Sequence, residues 1–337
     1  MKHIVVIVIM LLCVSTLSAQ DDNKPLVVAS ASMIHDMLDA IGGAFVETDV
    51  IVPIGSDPHL YEATPSDTRL LHRADMVLVN GLTFEGWLDE LIDNSGSKAE
   101  VVRITVGVEA IESQDYRGSA DPHAWMDVEN AMIYARNIRD ALSRLVPDEA
   151  ESIAFNYEVY KGQLEELHRY VTERVQTIPE GRRVLITSHD AFSYYGKAYG
   201  LDLYALTGVS TESKPQTSDI RRVNQVIEER HIPAIFIEST INPKLIEQIA
   251  SDKSVTIGGK LYADSLGDPE GEAGTYIKMI RHNTDIIVDA LSKKITTQSD
   301  TTVDATGALG GKGRLLIIGG IALIMILGLV YLLSRKS

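Results

Sequence analysis

The sequence predicts an α/β fold in which two lobes with parallel sheets flanked by helices are joined by one long backbone helix, plus a C-terminal transmembrane helix. Short β-branched runs alternate with longer stretches of helical period, which is typical of parallel sheets covered by helices. One helical period continues without a break from Asp148 to Ile178. Near the C-terminus, the uncharged run Leu315–Leu333 has about the length needed to cross ~30 Å of hydrocarbon.

Residues 1–19 are typical of a secretory signal peptide. Lys2 precedes an apolar run from Ile4 to Val14, and residues 17–19 (Leu-Ser-Ala) form a cleavage site. The only cysteine, Cys13, lies inside this run. The mature chain would therefore contain no cysteine, and any metal site in it must use nitrogen and oxygen ligands.

The first lobe is expected over residues 26–146. Thr64 is placed to cap a helix that has Pro65 in its first turn and an acid at its third position. Asp127 opens another helix, whose apolar residues fall on one face. The predicted strands of this lobe are Leu26–Ala29, Thr48–Val52, Met76–Val79 and Val101–Ile104.

A linking helix is expected over residues 147–179, between Pro147 and the stop at residues 179–181 (Pro-Glu-Gly). At 1.5 Å per residue it would be about 45 Å long, which is more than one small domain needs. A strut between two lobes is therefore favoured over an ordinary long surface helix of one domain. The second lobe follows over residues 180–294, with predicted strands Arg183–Thr187, Leu203–Leu206, Ala234–Ile237 and Val255–Ile257.

Residues 295–313 are expected to be a flexible linker, because they are rich in Thr, Ser, Asp and Gly and have no apolar period. The transmembrane helix is expected over residues 314–334. Arg335 and Lys336 follow it, which by the positive-inside tendency places the tail in the cytoplasm. Together with the signal peptide, this predicts an extracytoplasmic protein anchored to the cell membrane by a C-terminal single-pass helix.

The formal net charge of −16 argues against a nucleic-acid partner, because a polyanion would be repelled. An acidic surface suits a protein that collects cations, but it also serves solubility. No P-loop, dinucleotide fingerprint or Gly-x-Ser-x-Gly sequence is present.

Three of the nine histidines lie in loops that favour metal binding. His59 and His189 follow predicted strands, and open α/β sheets bind ligands at the carboxyl ends of their strands. His59 and His123 share the sequence Asp-Pro-His, in which the proline stiffens the turn that presents the imidazole. Imidazole is a good ligand for zinc, manganese and iron. The remaining histidines are expected to be surface or core residues; they are His3, His35, His72, His168, His231 and His282.

A carboxylate would complete such a site, and Asp264 follows the last strong strand. The intervening pair Gly258-Gly259 is expected to turn the backbone sharply into the cleft. By itself, Asp264 could equally cap a helix. Three further acids are expected to orient the imidazoles from behind; they are Glu62, Asp190 and Glu238.

The chain resembles the TroA-like metal-binding receptors, the solute-binding proteins of zinc and manganese ABC importers. The resemblance runs from about Leu26 to Ser292, and the long helix is part of it. It implies that one ion is held between the lobes by His59 and His123 from the first and by His189 and Asp264 from the second. The matching stretches are Gly55–Glu62, Asp121–Asp127, Thr187–Phe192, Phe236–Ser239 and Gly258–Gly267.

The resemblance implies a receptor that captures zinc or manganese, with iron as a further option, and delivers it to the permease and ATPase of an ABC importer. The segment Glu109–Ala120 lacks the histidines that dedicated zinc receptors often carry there, and His189 stands where many manganese receptors have Glu. Four protein ligands would leave no open position for water, so an enzyme is not expected. The alternative from another class is a surface adhesin or interaction protein in which the metal is merely structural.

Overall fold

The computed structural model describes residues 24–113, 119–211 and 214–293. The predicted signal peptide (1–19), linker (295–313) and transmembrane helix (314–334) lie outside these residues.

The first lobe is built on a four-stranded parallel sheet with the strand order β2-β1-β3-β4. Successive residues of β1 point to opposite faces, so that Val27 and Val28 enter different core clusters. The strands are β1 (Leu26–Ala29), β2 (Glu47–Val50), β3 (Met76–Val79) and β4 (Glu100–Arg103). The helices are α1 (Ser32–Gly42), α2 (Pro65–Arg73), α3 (Leu88–Ser95) and α4 (Val128–Leu145).

The second lobe contains two parallel strand pairs, β5-β6 and β7-β8. Strands β5 and β7 lie side by side, which brings their carboxyl ends together. The strands are β5 (Val184–His189), β6 (Asp202–Thr207), β7 (Ala234–Glu238) and β8 (Thr256–Leu261). The helices are α6 (Ser193–Tyr199), α7 (Thr217–Arg230), α8 (Lys244–Lys253) and α9 (Tyr276–Ser292).

All eight predicted strands are present, and both predicted helix starts are confirmed. Thr64 forms a reciprocal capping box with Asp67, and the Asp127 side chain accepts a hydrogen bond from the Glu129 N–H. The largest boundary difference is at β8, which continues to Leu261.

The expected turn at Gly258-Gly259 is wrong, because both glycines lie inside β8 at an irregularity in its pairing with β7. The glycines are needed for close packing instead. A Cβ at Gly258 would lie 2.5 Å from the Phe236 ring, and one at Gly259 would lie 2.7 Å from Ile286.

The long helix α5 spans Ala150–Gln176, after a short 3₁₀ turn at Pro147–Glu149. It packs against α1 and α4 from the first lobe and against α6 and α9 from the second. Its buried residues recur at helical spacing and belong to the same core cluster as residues from both lobes. They are Ile153, Tyr157, Tyr160, Leu164, Leu167, Val171 and Val175.

The predicted fold class is corrected in its C-terminal part, the transmembrane helix. Within the described ranges, no helix is long and apolar enough to cross a membrane. The physical reason is that these helices are amphipathic: α5, the longest at 27 residues, buries one face and exposes charged residues such as Glu158 and Glu166 on the other. The predicted span itself, residues 314–334, falls outside the described residues.

Candidate metal centre

His59 lies in the loop between β2 and α2, and contacts within the first lobe fix its backbone. The His59 N–H donates to Oδ1 of Asp57 at 2.9 Å. The indole N–H of Trp87 donates to the Pro58 carbonyl at 2.8 Å. The His59 ring meets the edge of Phe84, with 5.0 Å between ring centroids. These contacts aim the imidazole at the cleft between the lobes.

His123 follows β4 and is fully buried beside the short turn Ala124–Met126. Asp121 holds it twice through one oxygen, Oδ1, which lies 2.9 Å from the His123 N–H and 2.8 Å from Nδ1. With Nδ1 engaged by a carboxylate, Nε2 is the ring nitrogen left to face the cleft.

His189 is the last residue of β5 and is also fully buried. Glu238, the last residue of the neighbouring β7, lies behind it. The His189 N–H donates to Oε1 of Glu238 at 2.9 Å, and Nδ1 lies 2.6 Å from Oε2. The side-by-side placement of β5 and β7 therefore brings the imidazole and its carboxylate partner together.

Asp264 follows β8, and the segment that carries it is held by the first lobe. The Trp125 indole N–H donates to the Ala263 carbonyl at 3.0 Å. The Gly55 N–H donates to Oγ of Ser265 at 2.7 Å. One residue further, the Leu266 N–H donates to Oγ of Ser32 at 3.0 Å. Three hydrogen bonds across the cleft thus flank the Asp264 carboxylate.

The four predicted ligands converge on one point, because their ligand atoms all lie within 4.8 Å of one another. Nε2 of His59 lies 3.2 Å from Nε2 of His123. Oδ1 of Asp264 lies 3.3 Å from His123 Nε2, and Oδ2 lies 3.1 Å from His189 Nε2 and 3.9 Å from His59 Nε2. A tetrahedral ion with bonds of about 2.05 Å separates its ligand atoms by about 3.4 Å. Three of these separations, at 3.1–3.3 Å, are close to that edge length, and the fourth, at 3.9 Å, is longer.

The burial of these atoms also fits an ion. Nε2 of His189 and both carboxylate oxygens of Asp264 are buried and make no hydrogen bond of normal geometry among the described residues, although they lie within 3.3 Å of one another or of His123. Unsatisfied buried polar atoms are costly, and a cation at the common centre would satisfy all three. A set of nitrogen and oxygen donors suits zinc and manganese.

The two first-lobe imidazoles differ in protonation. Burial disfavours the charged form and lowers the pKa of His59 to about 3, although the charge on Asp264 opposes this. Burial acts in the same direction on His123, but hydrogen bonds and charge from Asp121 and Asp264 outweigh it and raise its pKa to about 9. At neutral pH without metal, His59 is therefore neutral and His123 is protonated.

In the second lobe, the pKa shifts of His189 and Asp264 also favour the charged form of each side chain. Burial opposes protonation of His189, yet Glu238 and Asp264 raise its pKa well above the usual range. Burial would raise the pKa of Asp264, but the adjacent His189 and His123 hold it well below its usual value. The protons on His123 and His189 thus supply the positive charge beside Asp264, and a metal ion must displace them to bind.

The remaining histidines and acids singled out in the sequence divide into those that contact the centre and those that lie away from it. Five of the remaining histidines lie on helices or at a helix end away from the centre, as expected; they are His35, His72, His168, His231 and His282. The sixth, His3, lies outside the described residues. Among the three acids expected behind the imidazoles, Glu238 contacts His189, whereas Asp190 bonds to Ser193 and Glu62 is exposed. The sequence reasoning missed Asp121, although its position two residues before a histidine was a readable signal for such a bond.

A cavity of about 530 Å³ lies against His59 and opens to solvent, and we call it the mouth. His59, Glu62, Thr83 and Trp87 line it from the first lobe, and Val209 lines it from the second.

Comparison with known proteins gives a consistent result. The family model of ZnuA, described as the periplasmic zinc-uptake complex component A, matches residues 27–290. The manganese-binding lipoprotein MntA of Halalkalibacterium halodurans is 37% identical over 276 residues, which cover 82% of this chain and 91% of MntA. The metal ABC transporter substrate-binding lipoprotein SsaB of Streptococcus sanguinis is 31% identical over 309 residues, which cover 87% of this chain and 100% of SsaB.

A solved structure extends the agreement to the fold. The periplasmic zinc-binding protein TroA from Treponema pallidum superimposes with a TM-score of 0.76 at 36% sequence identity, covering 80% of this chain and 100% of TroA. The resemblance found in the sequence, and the two-lobed α/β fold that it implied, are therefore confirmed. The chain belongs to the ZnuA family of periplasmic metal-uptake components.

Proposed function

We propose that His59, His123, His189 and Asp264 bind one zinc or manganese ion as the cargo of this protein. The observation that carries the proposal is the convergence of their four ligand atoms within 4.8 Å of one another in a buried site. The carboxylates behind His123 and His189 support it, because such partners fix the orientation and raise the basicity of ligating imidazoles.

The protein is a receptor that captures the ion outside the cytoplasm and delivers it to an ABC importer. Family membership and the names of MntA and SsaB support this function. It is not an enzyme. A site with four protein ligands leaves no position for an activated water, which hydrolytic metal catalysis requires.

For this function we propose the domain organisation that the sequence predicts. A signal peptide over residues 1–19 would direct secretion, two lobes over 26–146 and 180–294 would provide two ligands each, and residues 147–179 would join the lobes. The lipoprotein names of the relatives support a location outside the cytoplasm and in association with the membrane.

The binding proposal is tested by titrating metal-free protein with zinc and with manganese in a calorimeter. We expect one ion per chain, and a strong loss of affinity in His123→Ala and in His189→Ala. His72→Ala is the matched control, because His72 lies on α2 and bonds to the Ser95 carbonyl away from the centre. Unchanged affinity in either of the two centre variants would remove that residue from the site.

A chelation experiment distinguishes a receptor from the alternative, a metal-stabilised adhesin. A purely structural metal site unfolds when its metal is removed, whereas a receptor keeps its fold. The core here runs through both lobes and α5 independently of the four ligands. We therefore expect the circular dichroism spectrum to survive exhaustive chelation and the bound ion to be recovered on adding metal. Cooperative unfolding on chelation would instead support the structural role.

A further inference from the structure

The four proposed ligands are not equally enclosed. The His123, His189 and Asp264 side chains are completely buried, whereas 6% of the His59 side chain is exposed. That exposed part faces the mouth. Of the four ligands, only His59 therefore lies between the centre and the mouth.

The four ligands are also unequally supported. Asp121 holds Nδ1 of His123, Glu238 lies against Nδ1 of His189, and hydrogen bonds across the cleft flank Asp264. Nδ1 of His59 has no carboxylate partner in the described part of the chain. Its ring is held by the edge of Phe84 instead. A ring contact of this kind is weaker than a charge-assisted hydrogen bond.

The wall of the mouth beside His59 is stiff. Gly81, Leu82 and Thr83 all have positive φ angles, of 77°, 52° and 67°. The buried carboxylate of Glu85 fixes this loop by accepting hydrogen bonds from Oγ of Ser30 at 2.6 Å and from the Gly81 N–H at 3.0 Å. Motion that opens the centre is therefore easier for the His59 ring than for the wall that it faces.

The remaining directions from the centre are closed by packed side chains. Behind His123 lies the fully buried Trp125, with 5.3 Å between ring centroids. Behind His189 lies Glu238, which is also buried. Opening either direction would disrupt the core that both lobes share.

We propose that the ion enters and leaves through the mouth and that His59 is the ligand that swings aside to let it pass. This inference rests on the proposed metal-binding function and adds the route and the gating residue. The exposed carboxylate of Glu62 on the mouth presents negative charge to an approaching cation. The other three ligands stay in place during exchange as a fixed half-site.

Gly86 provides a test, because it lines the mouth without touching the four ligands. A Cβ added there meets no atom within 4 Å, and its φ angle is not positive, so that side chains of increasing size fit into open space. We would compare Gly86→Ala, Gly86→Leu and Gly86→Phe with the wild-type protein. The matched control is Gly181→Phe, at an exposed turn that is equally open.

The rate of zinc binding to the metal-free protein is followed by stopped-flow tryptophan fluorescence. The sequence contains two tryptophans, Trp87 at the mouth and Trp125 beside His123. Release is followed by mixing zinc-loaded protein with an excess of a chromogenic chelator. We expect both rates to fall together as residue 86 grows, by at least about tenfold for Phe, which corresponds to a modest added barrier. The dissociation constant should stay unchanged, because the bound state is not touched.

Unaltered rates in a folded Gly86→Phe protein would overturn the route, as would a change in affinity with no change in the release rate. A Phe variant that fails to fold leaves the Ala and Leu variants to decide, since the effect is graded by size. A wild-type protein that binds no zinc would instead refute the proposed function on which the route depends.

Discussion

The carboxylate behind His189 provides the sharpest test of how this centre is built. Glu238 accepts the His189 N–H at Oε1 and lies 2.6 Å from Nδ1 through Oε2. Glu238→Gln keeps the shape, but its amide has one oxygen for two donors. One of the two contacts with His189 is therefore lost. If the glutamine NH₂ faces Nδ1, it donates to that nitrogen and favours the His189 tautomer with its proton on Nε2, where the proton blocks metal binding.

The expected cost is about 10- to 100-fold in metal affinity, the usual effect of removing such a partner, or about 1.4–2.7 kcal/mol. A second effect opposes it. Glu238 also raises the pKa of His189, so its loss eases the competition between proton and metal. The variant should therefore lose more affinity at high pH, where no proton has to be displaced, than at low pH.

The assay is competition of zinc between the protein and a chelator of known affinity, repeated across pH. Glu247→Gln is the matched control, because Glu247 is exposed on α8 away from the centre. Equal affinity of Glu238→Gln and the wild-type protein at high pH, with both folded, would refute the idea that this carboxylate orients His189. A loss that is the same at every pH would refute the proton competition.

Three further predictions follow from single contacts or charges. The pKa of His123 is raised to about 9 in the metal-free protein, and that of His189 is raised well above its usual value, so zinc affinity should climb as pH rises from neutral to about 9. A chelator competition series would show a flat profile over this range if this is wrong. Ser265→Ala removes two hydrogen bonds beside Asp264, from the Gly55 N–H and to the Leu266 carbonyl, each worth about 1 kcal/mol. We expect a several-fold weaker zinc affinity by calorimetry, and no loss would mean that these bonds do not position the carboxylate. Burial raises the pKa of Asp36, whose carboxylate accepts the Tyr276 N–H, to about 6. In the unfolded chain the Asp36 carboxyl titrates near 3.8, so the stability that the buried carboxyl contributes is complete below that pH and is lost as pH rises through about 6. The stability of Asp36→Asn, measured by denaturant melts, should lack this decline, and parallel pH profiles for the variant and the wild-type protein would contradict the prediction.

The position of the centre could be predicted from the sequence because it depends on local rules. His59 lies in the loop after β2 and His189 ends β5, and the carboxyl ends of parallel strands form the binding edge of such sheets. The contact of Asp121 with His123 was equally local but was missed, since Asp-Pro-His was interpreted only as a stiff turn. Patterns within a few residues therefore carried more information than was extracted from them.

Contacts between distant parts of the chain could not be predicted in this way. Gly55 and Ser265 are 210 residues apart, and nothing near either one indicates that they bond. Gly258 and Gly259 were expected to form a turn, because a glycine pair favours turns and close packing alike. Only the positions of Phe236 and Ile286, set by the tertiary fold, decide between the two.

The shared core has a consequence for how the ion is released. Residues of both lobes and of α5 pack in one cluster, and the hydrogen bonds from Trp125, Gly55 and Ser32 hold the Asp264 segment to the first lobe. Wide separation of the lobes would break those bonds and expose that core, at a cost that no single ligand contact offsets. Rotation of the His59 ring breaks its contacts with Phe84 and the other ligands and its bond to the ion, but it leaves the shared core and the bonds across the cleft intact. Local exchange at one ligand is therefore the less costly route, and a docked permease would need to displace one imidazole rather than pull apart two lobes.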